Sequence, residues 1–164
     1  MKPVRTDQAL EIREYTGDRT ALRSLFEEAE DSAAQLDAYL DLGRVLVARR
    51  ALELLGHLQL VETPREGEVE LKNMAVRADQ RGTGIGRQLL EAALDLSAEV
   101  GHARMIVATA AADIGNLRFY QRCGFRLFAV ERDAFTPQTG YPEPIDIDGI
   151  PLRDRVWLAY DCPA

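Results

Sequence analysis

Cysteine and histidine, the usual soft metal ligands, are scarce in this sequence. The 164 residues include two cysteines, Cys123 and Cys162, and two histidines, His57 and His102. Two cysteines are too few for a disulfide framework or a cysteine-rich zinc site, and the histidines lie far apart with no cysteine beside either. We therefore expect no metal site, a small buried thiol at Cys123, and a core or surface histidine rather than a catalytic one at His57.

Long apolar runs and positive charge are lacking as well. No run approaches the ~20 apolar residues that span a membrane, and the N-terminal segment has no apolar core of the kind that secretory signals carry. The net charge of −7 disfavours general binding to nucleic acid and is compatible with a cationic partner such as an amine. We expect a cytoplasmic protein that contacts neither membrane nor nucleic acid.

Apolar periodicity predicts alternating strands and helices in one domain spanning residues 1–164. The predicted strands are residues 9–16, 44–50, 52–62, 69–76, 103–108, 125–131 and 155–160. Helices are predicted after Asp18 or Thr20, after Ser32, behind the glycines at 82–86 as far as Gly101, and at residues 114–123. Residues 135–152, rich in proline and glycine, are expected to be irregular, and such a long loop in a compact domain usually has a function. The order β-α-α-β-β-β-α-β-α-β-β is a mixed α/β fold.

Three glycines at alternate positions, Gly82, Gly84 and Gly86, separate the strand at 69–76 from the following helix. Glycine permits tight turns and leaves backbone N–H groups uncovered, and a helix N-terminus attracts anions. This order predicts a phosphate-binding loop. The Gly-Lys-Ser/Thr of a P-loop is absent, and the third glycine comes one residue early for a dinucleotide fingerprint. A glycine-rich turn that binds nothing is the alternative.

Two motifs taken together resemble the GNAT superfamily of acetyl-CoA-dependent N-acetyltransferases. The segment from Arg81 to Gly86, RGTGIG, is similar to that family's Arg/Gln-x-x-Gly-x-Gly/Ala signature. One strand and one helix later, Tyr120-Gln121-Arg122-Cys123-Gly124-Phe125 is similar to a second signature. The resemblance implies a central mixed, mostly antiparallel sheet flanked by helices, whose middle strands separate to admit the pantetheine arm. Asp113 stands where many members carry asparagine, with Asn116 three residues on.

The resemblance also implies which residues bind acetyl-CoA. Backbone N–H groups of residues 81–87 would hold the pyrophosphate, and the backbone near Ala75 would pair with pantetheine as an added strand does. An N–H of that strand would polarise the thioester carbonyl. The implied cofactor-binding residues are Met74, Ala75, Val76, Arg81, Gly82, Thr83, Gly84, Ile85, Gly86, Arg87, Asn116 and Tyr120.

Two side chains are candidates for proton transfer. An amine acceptor with a pKa near ~10 must lose a proton, and Glu70 stands where some family members carry a basic glutamate. A solvated strand glutamate, like Glu66 and Glu68, is the alternative. Tyr120 occupies the position whose phenol protonates the departing thiolate, although an aromatic residue there could simply pack the core as Phe119 could.

The implied activity is transfer of the acetyl group of acetyl-CoA to a primary amine by direct attack, without a metal or a covalent enzyme intermediate. The acceptor is expected to be small and cationic, in a pocket shaped by the first helices and residues 135–152 with Asp146 and Asp148. Dimerisation is common in the family, so a homodimer is compatible with the resemblance. A catalytically silent acyl-CoA-binding sensor or regulatory module is the alternative.

Overall fold

The computed structural model describes residues 8–163, and its main element is a seven-stranded sheet. The strands of this sheet are β1 (Glu11–Glu14), β2 (Arg44–Arg50), β3 (Glu53–Glu62), β4 (Glu68–Val76), β5 (Arg104–Ala110), β6 (Arg126–Glu131) and β9 (Arg155–Asp161). Their order is β1-β2-β3-β4-β5-β9-β6. All neighbouring pairs are antiparallel except β4 and β5. The predicted mixed, mostly antiparallel sheet is confirmed.

Helices cover both faces of the sheet. The long helix α3 (Ile85–Glu99) buries Leu89, Leu90 and Ala93 in the larger core, together with inward residues of β3, β4 and β5. The short helices α1 (Arg23–Glu27) and α2 (Ala33–Tyr39) bury Phe26 and Leu36 in a second core against β2. Helix α4 (Ile114–Arg122) follows β5. Helices α1, α2 and α3 each bury apolar residues of the stripe that the sequence spacing predicts.

Most predicted elements are present, with shifted ends. The first strand is shorter than predicted, and a 3-10 turn at Arg19–Leu22 precedes α1. The segment 135–152 is not wholly irregular, because a 3-10 turn (Pro137–Thr139) and a small hairpin of β7 (Asp146–Ile147) and β8 (Ile150–Pro151) lie within it. That hairpin turns through Asp148 and Gly149, both with positive φ, the backbone that Asp-Gly favours in two-residue turns. The sequence reasoning missed this signal.

A β-bulge interrupts β4 at Lys72. Gln59 of β3 pairs with Asn73 and Leu60 pairs with Leu71, which leaves Lys72 without a partner in the register. An extra residue of this kind reverses which side chains face each side of the sheet. Asn73 therefore lies on the side of α1 and α2, where it donates to Phe26 O at 3.1 Å.

None of the helices described between residues 8 and 163 is long and apolar enough to cross a membrane. Residues 1–7, on which the expectation about a secretory signal partly rests, lie outside the described part.

Candidate active site between strands β4 and β5

The two parallel strands at the centre of the sheet separate along their length. They pair only between Glu68–Leu71 and Arg104–Val107, although β4 continues to Val76 and β5 to Ala110. A cavity of about 820 Å³ opens beside the gap. The separation predicted for the middle strands is present in the structure.

The open edge of β4 directs peptide groups into this gap, away from β3. The N–H of Arg77 donates to Leu55 O at 2.8 Å, and Ala75 pairs with His57 on β3. Because the peptide groups of neighbouring strand residues point in opposite directions, those of Met74 and Val76 face the gap. Ala75 and Met74 also line the cavity.

The glycine loop has its donors exposed. Gly82 and Gly84 have φ of +76° and +88°, and an added Cβ would meet no heavy atom within 4 Å at either position. Within residues 8–163, no protein acceptor is found for the amides of residues 82–87, and the first helical bond runs from Gln88 N to Gly84 O at 3.1 Å. The loop and the first turn of α3 therefore form a cradle of free N–H groups, an arrangement that is suited to an anion.

The side chains of this loop have different surroundings. Ile85 is buried in the larger core, and a Cβ at Gly86 would lie 3.7 Å from Phe119 and Val76. Thr83 Oγ1 donates to Gln80 O at 2.6 Å, and Arg87 pairs with Glu91 at 3.2 Å on the surface. The backbone N–H groups of these residues, by contrast, have no partner among residues 8–163.

Arg81 is the loop residue whose side chain reaches the cavity. Its Nε donates to Val76 O at 3.2 Å, and its terminal nitrogen pairs with Glu28 at the same distance. It thus joins the glycine loop to β4 and to the segment after α1.

Tyr120 packs beneath the gap and lines the cavity. Its ring makes edge-to-face contacts with Phe119 and Phe125, at centroid distances of 5.1 and 5.6 Å. Its hydroxyl makes no hydrogen bond with any residue between 8 and 163. Burial, and next the charge of Asp113, raise the pKa of Tyr120, so the phenol keeps its proton at neutral pH.

Asp113 caps α4. Its Oδ1 accepts the N–H of Asn116 at 2.9 Å, the bond of an N-cap residue. Asn116 lines the cavity and donates weakly to Thr109 Oγ1 at 3.4 Å. The departure from asparagine at position 113 thus preserves the cap while adding a negative charge near the gap.

Glu70 extends from β4 into the cavity. Its Oε1 lies 3.6 Å from Lys72 Nζ. Burial raises the pKa of Glu70, and Lys72 and Arg155 oppose the shift. A carboxylate with a raised pKa inside a cavity is suited to accept a proton near neutral pH.

The cavity wall is acidic. Seven carboxylates line it against three cations: Glu28, Glu30, Asp31, Glu70, Asp113, Glu131 and Asp146, with Lys72, Arg81 and Arg155. Asp148 does not line the cavity. Sequence reasoning missed Glu30, Tyr39 and Tyr141 because these side chains carry no motif and meet only through tertiary contacts.

The histidine and cysteine predictions have mixed outcomes. His57 is fully buried, its ring stacks on Phe26 at 4.0 Å, and burial lowers its pKa to about 4. It is therefore a neutral core residue, as predicted. Cys123 is half-buried rather than buried, because it caps the end of α4 near the surface. No group of three potential metal ligands occurs among the described side chains.

Comparison with known proteins connects this geometry to one family. Residues 11–125 match the acetyltransferase (GNAT) family model. The chain is 34% identical over 152 residues to the N-acetyltransferase YvbK of Bacillus subtilis (strain 168), a span of 93% of this chain and 95% of that protein.

Solved structures extend the likeness to the whole architecture. An acetyltransferase of Bacillus subtilis in complex with CoA is 32% identical, with a TM-score of 0.85, and the match covers 93% of this chain and 99% of that one. A GNAT family acetyltransferase of Elizabethkingia anophelis with acetyl-CoA bound is 28% identical, also with a TM-score of 0.85, covering 93% and 97%.

Proposed function

Because this chain belongs to the acetyltransferase (GNAT) family, we propose that it transfers the acetyl group of acetyl-CoA to a primary amine that is small and cationic. The observation that carries the proposal is the gap between β4 and β5, which opens beside the free amides of residues 82–87. The CoA and acetyl-CoA bound to the two similar structures support the choice of cofactor.

Acetyl-CoA would be held mainly by backbone. The amides of residues 82–87 suit the pyrophosphate, since they are unpartnered and stand at the positive end of α3. The peptide groups of Met74 and Val76 suit the amide-rich pantetheine arm, which would lie along β4 as an added strand. One of these N–H groups would also stabilise the oxyanion that forms when an amine attacks the thioester.

Two side chains would carry the proton transfers of the reaction. Glu70 would take a proton from the attacking ammonium, directly or through water. Lys72 beside it opposes the rise in the pKa of Glu70 and so favours the ionised carboxylate. Tyr120 would give its phenolic proton to the departing CoA thiolate and would regain a proton from the attacking nitrogen, which loses its second proton as the amide forms. The free hydroxyl of Tyr120 and its place in the cavity support this role.

The acceptor would occupy the remaining cavity. The carboxylates that line the cavity outnumber its cationic side chains by four, so the site favours a positively charged amine over an anionic one.

A homodimer is proposed through the edge strand β6. All six residues of β6 are exposed, including Leu127, Phe128 and Val130, and its outer edge has no partner strand among the described residues. With a two-fold axis between Phe128 and Ala129, antiparallel pairing with a second copy would place Arg126 opposite Glu131 and Leu127 opposite Val130. The edge is thus self-complementary in charge and apolar contact.

Release of free CoA thiol tests the proposal. The protein is mixed with acetyl-CoA and a panel of primary amines, amino acids and sugars, and thermal stability is followed in parallel with acetyl-CoA, ATP and NAD. We expect a rise in melting temperature with acetyl-CoA alone and thiol release with cationic amines. Stabilisation without thiol release from any amine would favour a silent acetyl-CoA-binding module instead.

A further inference from the structure

One carboxylate in the cavity stands apart from the others. Glu28, Glu70 and Glu131 each pair with a cation, Arg81, Lys72 and Arg155 respectively, and Asp113 caps α4. Asp31 and Asp146 are exposed. Glu30 is half-buried, lines the cavity and has no cationic partner within residues 8–163.

Neutral donors fix Glu30 in place. Tyr39 donates to its Oε1 at 3.2 Å, and Tyr141 donates to its Oε2 at 2.8 Å. The backbone N–H of Ser32 reaches Oε2 at 3.3 Å. These bonds orient the carboxylate without cancelling its charge, since burial raises the pKa of both phenols and keeps them protonated.

Hydrogen bonds of the buried residues Asn73 and His57 hold Tyr39 in place. Asn73 Nδ2 donates to Tyr39 OH at 3.0 Å, so the Tyr39 proton is directed to Glu30. Asn73 Oδ1 in turn lies 2.7 Å from His57 Nε2, which must be the protonated nitrogen because Oδ1 can only accept. The bulge at Lys72 places Asn73 on this face of the sheet.

The wall between Glu30 and Glu70 accommodates cations. Lys72 Nζ lies 4.9 Å from the centroid of the Tyr39 ring and 3.6 Å from Glu70 Oε1. Tyr141 extends the aromatic surface through an edge-to-face contact with Phe135 at 5.0 Å. Aromatic faces attract organic cations. Tyr39 and Lys72 thus lie between Glu30 and Glu70 and form one polar and aromatic wall with them.

We propose that Glu30 is a specificity-determining residue that binds a second cationic group of the acceptor, so that the acceptor is a diamine or a larger amine of that class. This inference rests on the proposed function, because Glu70 marks the end of the wall where the reacting amine would lie. One amine of the acceptor faces Glu70 and the thioester, and the other, still protonated, pairs with Glu30 between Tyr39 and Tyr141.

Binding and turnover are measured separately to test this. Diaminopropane, putrescine and cadaverine, each beside the monoamine of equal chain length, are titrated calorimetrically into the full-length protein saturated with CoA. We expect at least one diamine to bind about tenfold more tightly than its monoamine, and Glu30→Gln to abolish that difference while leaving monoamine binding within about twofold. Asp31→Asn, which removes an exposed carboxylate from the same cavity, is the matched control and should keep most of the preference.

A second measurement needs no variant. Putrescine, aminobutanol and γ-aminobutyrate have similar chains that end in a cation, a neutral hydroxyl and an anion, and we expect affinity for the wild-type protein to fall in that order. Equal affinity for diamines and monoamines, or an equal loss of both in Glu30→Gln, would overturn the assignment. Diamine-selective binding without thiol release would instead count against the proposed acetyl transfer and leave the assignment of Glu30 standing.

Discussion

Tyr120 allows a test of acid catalysis that leaves the packing unchanged. Its ring contacts Phe119 and Phe125, whereas its hydroxyl has no partner within residues 8–163. Tyr120→Phe should therefore keep the melting temperature and lower kcat by ~10²-fold or more, the usual contribution of a positioned acid. Steady-state kinetics measure this, with Tyr160→Phe as control because Tyr160 contacts Phe125 but does not line the cavity. An unchanged kcat would remove Tyr120 from the mechanism.

Glu70 should affect the pH dependence of the protein's stability as well as the rate of the reaction. Its pKa is raised in the folded protein by burial, so the native state holds this proton more tightly than the unfolded chain does. The stability that the protonated carboxyl contributes is complete below the ordinary pKa of 4.5 and is lost as pH rises through the raised value. Glu70→Gln should lack this loss. As pH rises from 4.5 to neutrality, its melting temperature should therefore increase relative to that of the wild type.

The Glu70→Gln substitution should also lower kcat/KM for amines by ~10²-fold, because it removes the proposed general base. Glu66→Gln, at an exposed position in the turn before β4, is the control for a simple change of charge. If the melting temperatures of the wild type and Glu70→Gln change with pH in parallel, the pKa of Glu70 is not raised in the folded protein.

The glycine loop can be tested at the scale of the element. Gly82 has φ of +76° with open space around an added Cβ, and so does Gly101, with φ of +91°, at the far end of α3. Alanine should cost about 1–2 kcal/mol of stability at either site, because side chains strain left-handed backbone. Only Gly82→Ala should also weaken acetyl-CoA binding, by about tenfold in calorimetry, since its methyl group projects beside the free amides. Equal affinities in the two variants would contradict the anion cradle.

The cap of α4 separates the role of Asp113 in folding from its charge. Asn and Asp cap helices about equally well, whereas alanine costs about 1 kcal/mol. Asp113→Asn should therefore keep the stability to urea and Asp113→Ala should lose it. Removing this negative charge should also lower the pKa of Tyr120 slightly, because Asp113 raises it. A loss of stability in both variants would mean that the carboxylate charge, not the cap, stabilises α4.

The proposed dimer is a prediction about the whole molecule. Val130 is 64% exposed on the free edge strand, and Leu52, at the β2–β3 turn, is 92% exposed. Val130→Glu places a buried charge in the self-paired edge and should convert the dimer to a monomer, whereas Leu52→Glu should not. Light scattering during gel filtration measures both masses. A wild-type monomer at high concentration would refute pairing through β6.

The sequence by itself determined most of the strands and helices and the position of the glycine loop. Apolar patterns gave the main strands, stripes at helical spacing gave α1, α2 and α3, and glycine spacing with the segment from Tyr120 to Phe125 gave the family, which the comparisons confirm. These features are local, so a short window of sequence contains the physical information that defines them.

Only the tertiary structure decided the cavity and its charge pattern. The bulge at Lys72 turns Asn73 toward α2, and the docking of residues 135–152 brings Tyr141 to Glu30. Glu30 and Tyr141 are 111 residues apart in sequence, and neither belongs to a motif. Their contact depends on how helices and loops pack over the sheet, and side-chain packing over long sequence separations is set by the whole fold rather than by local pattern.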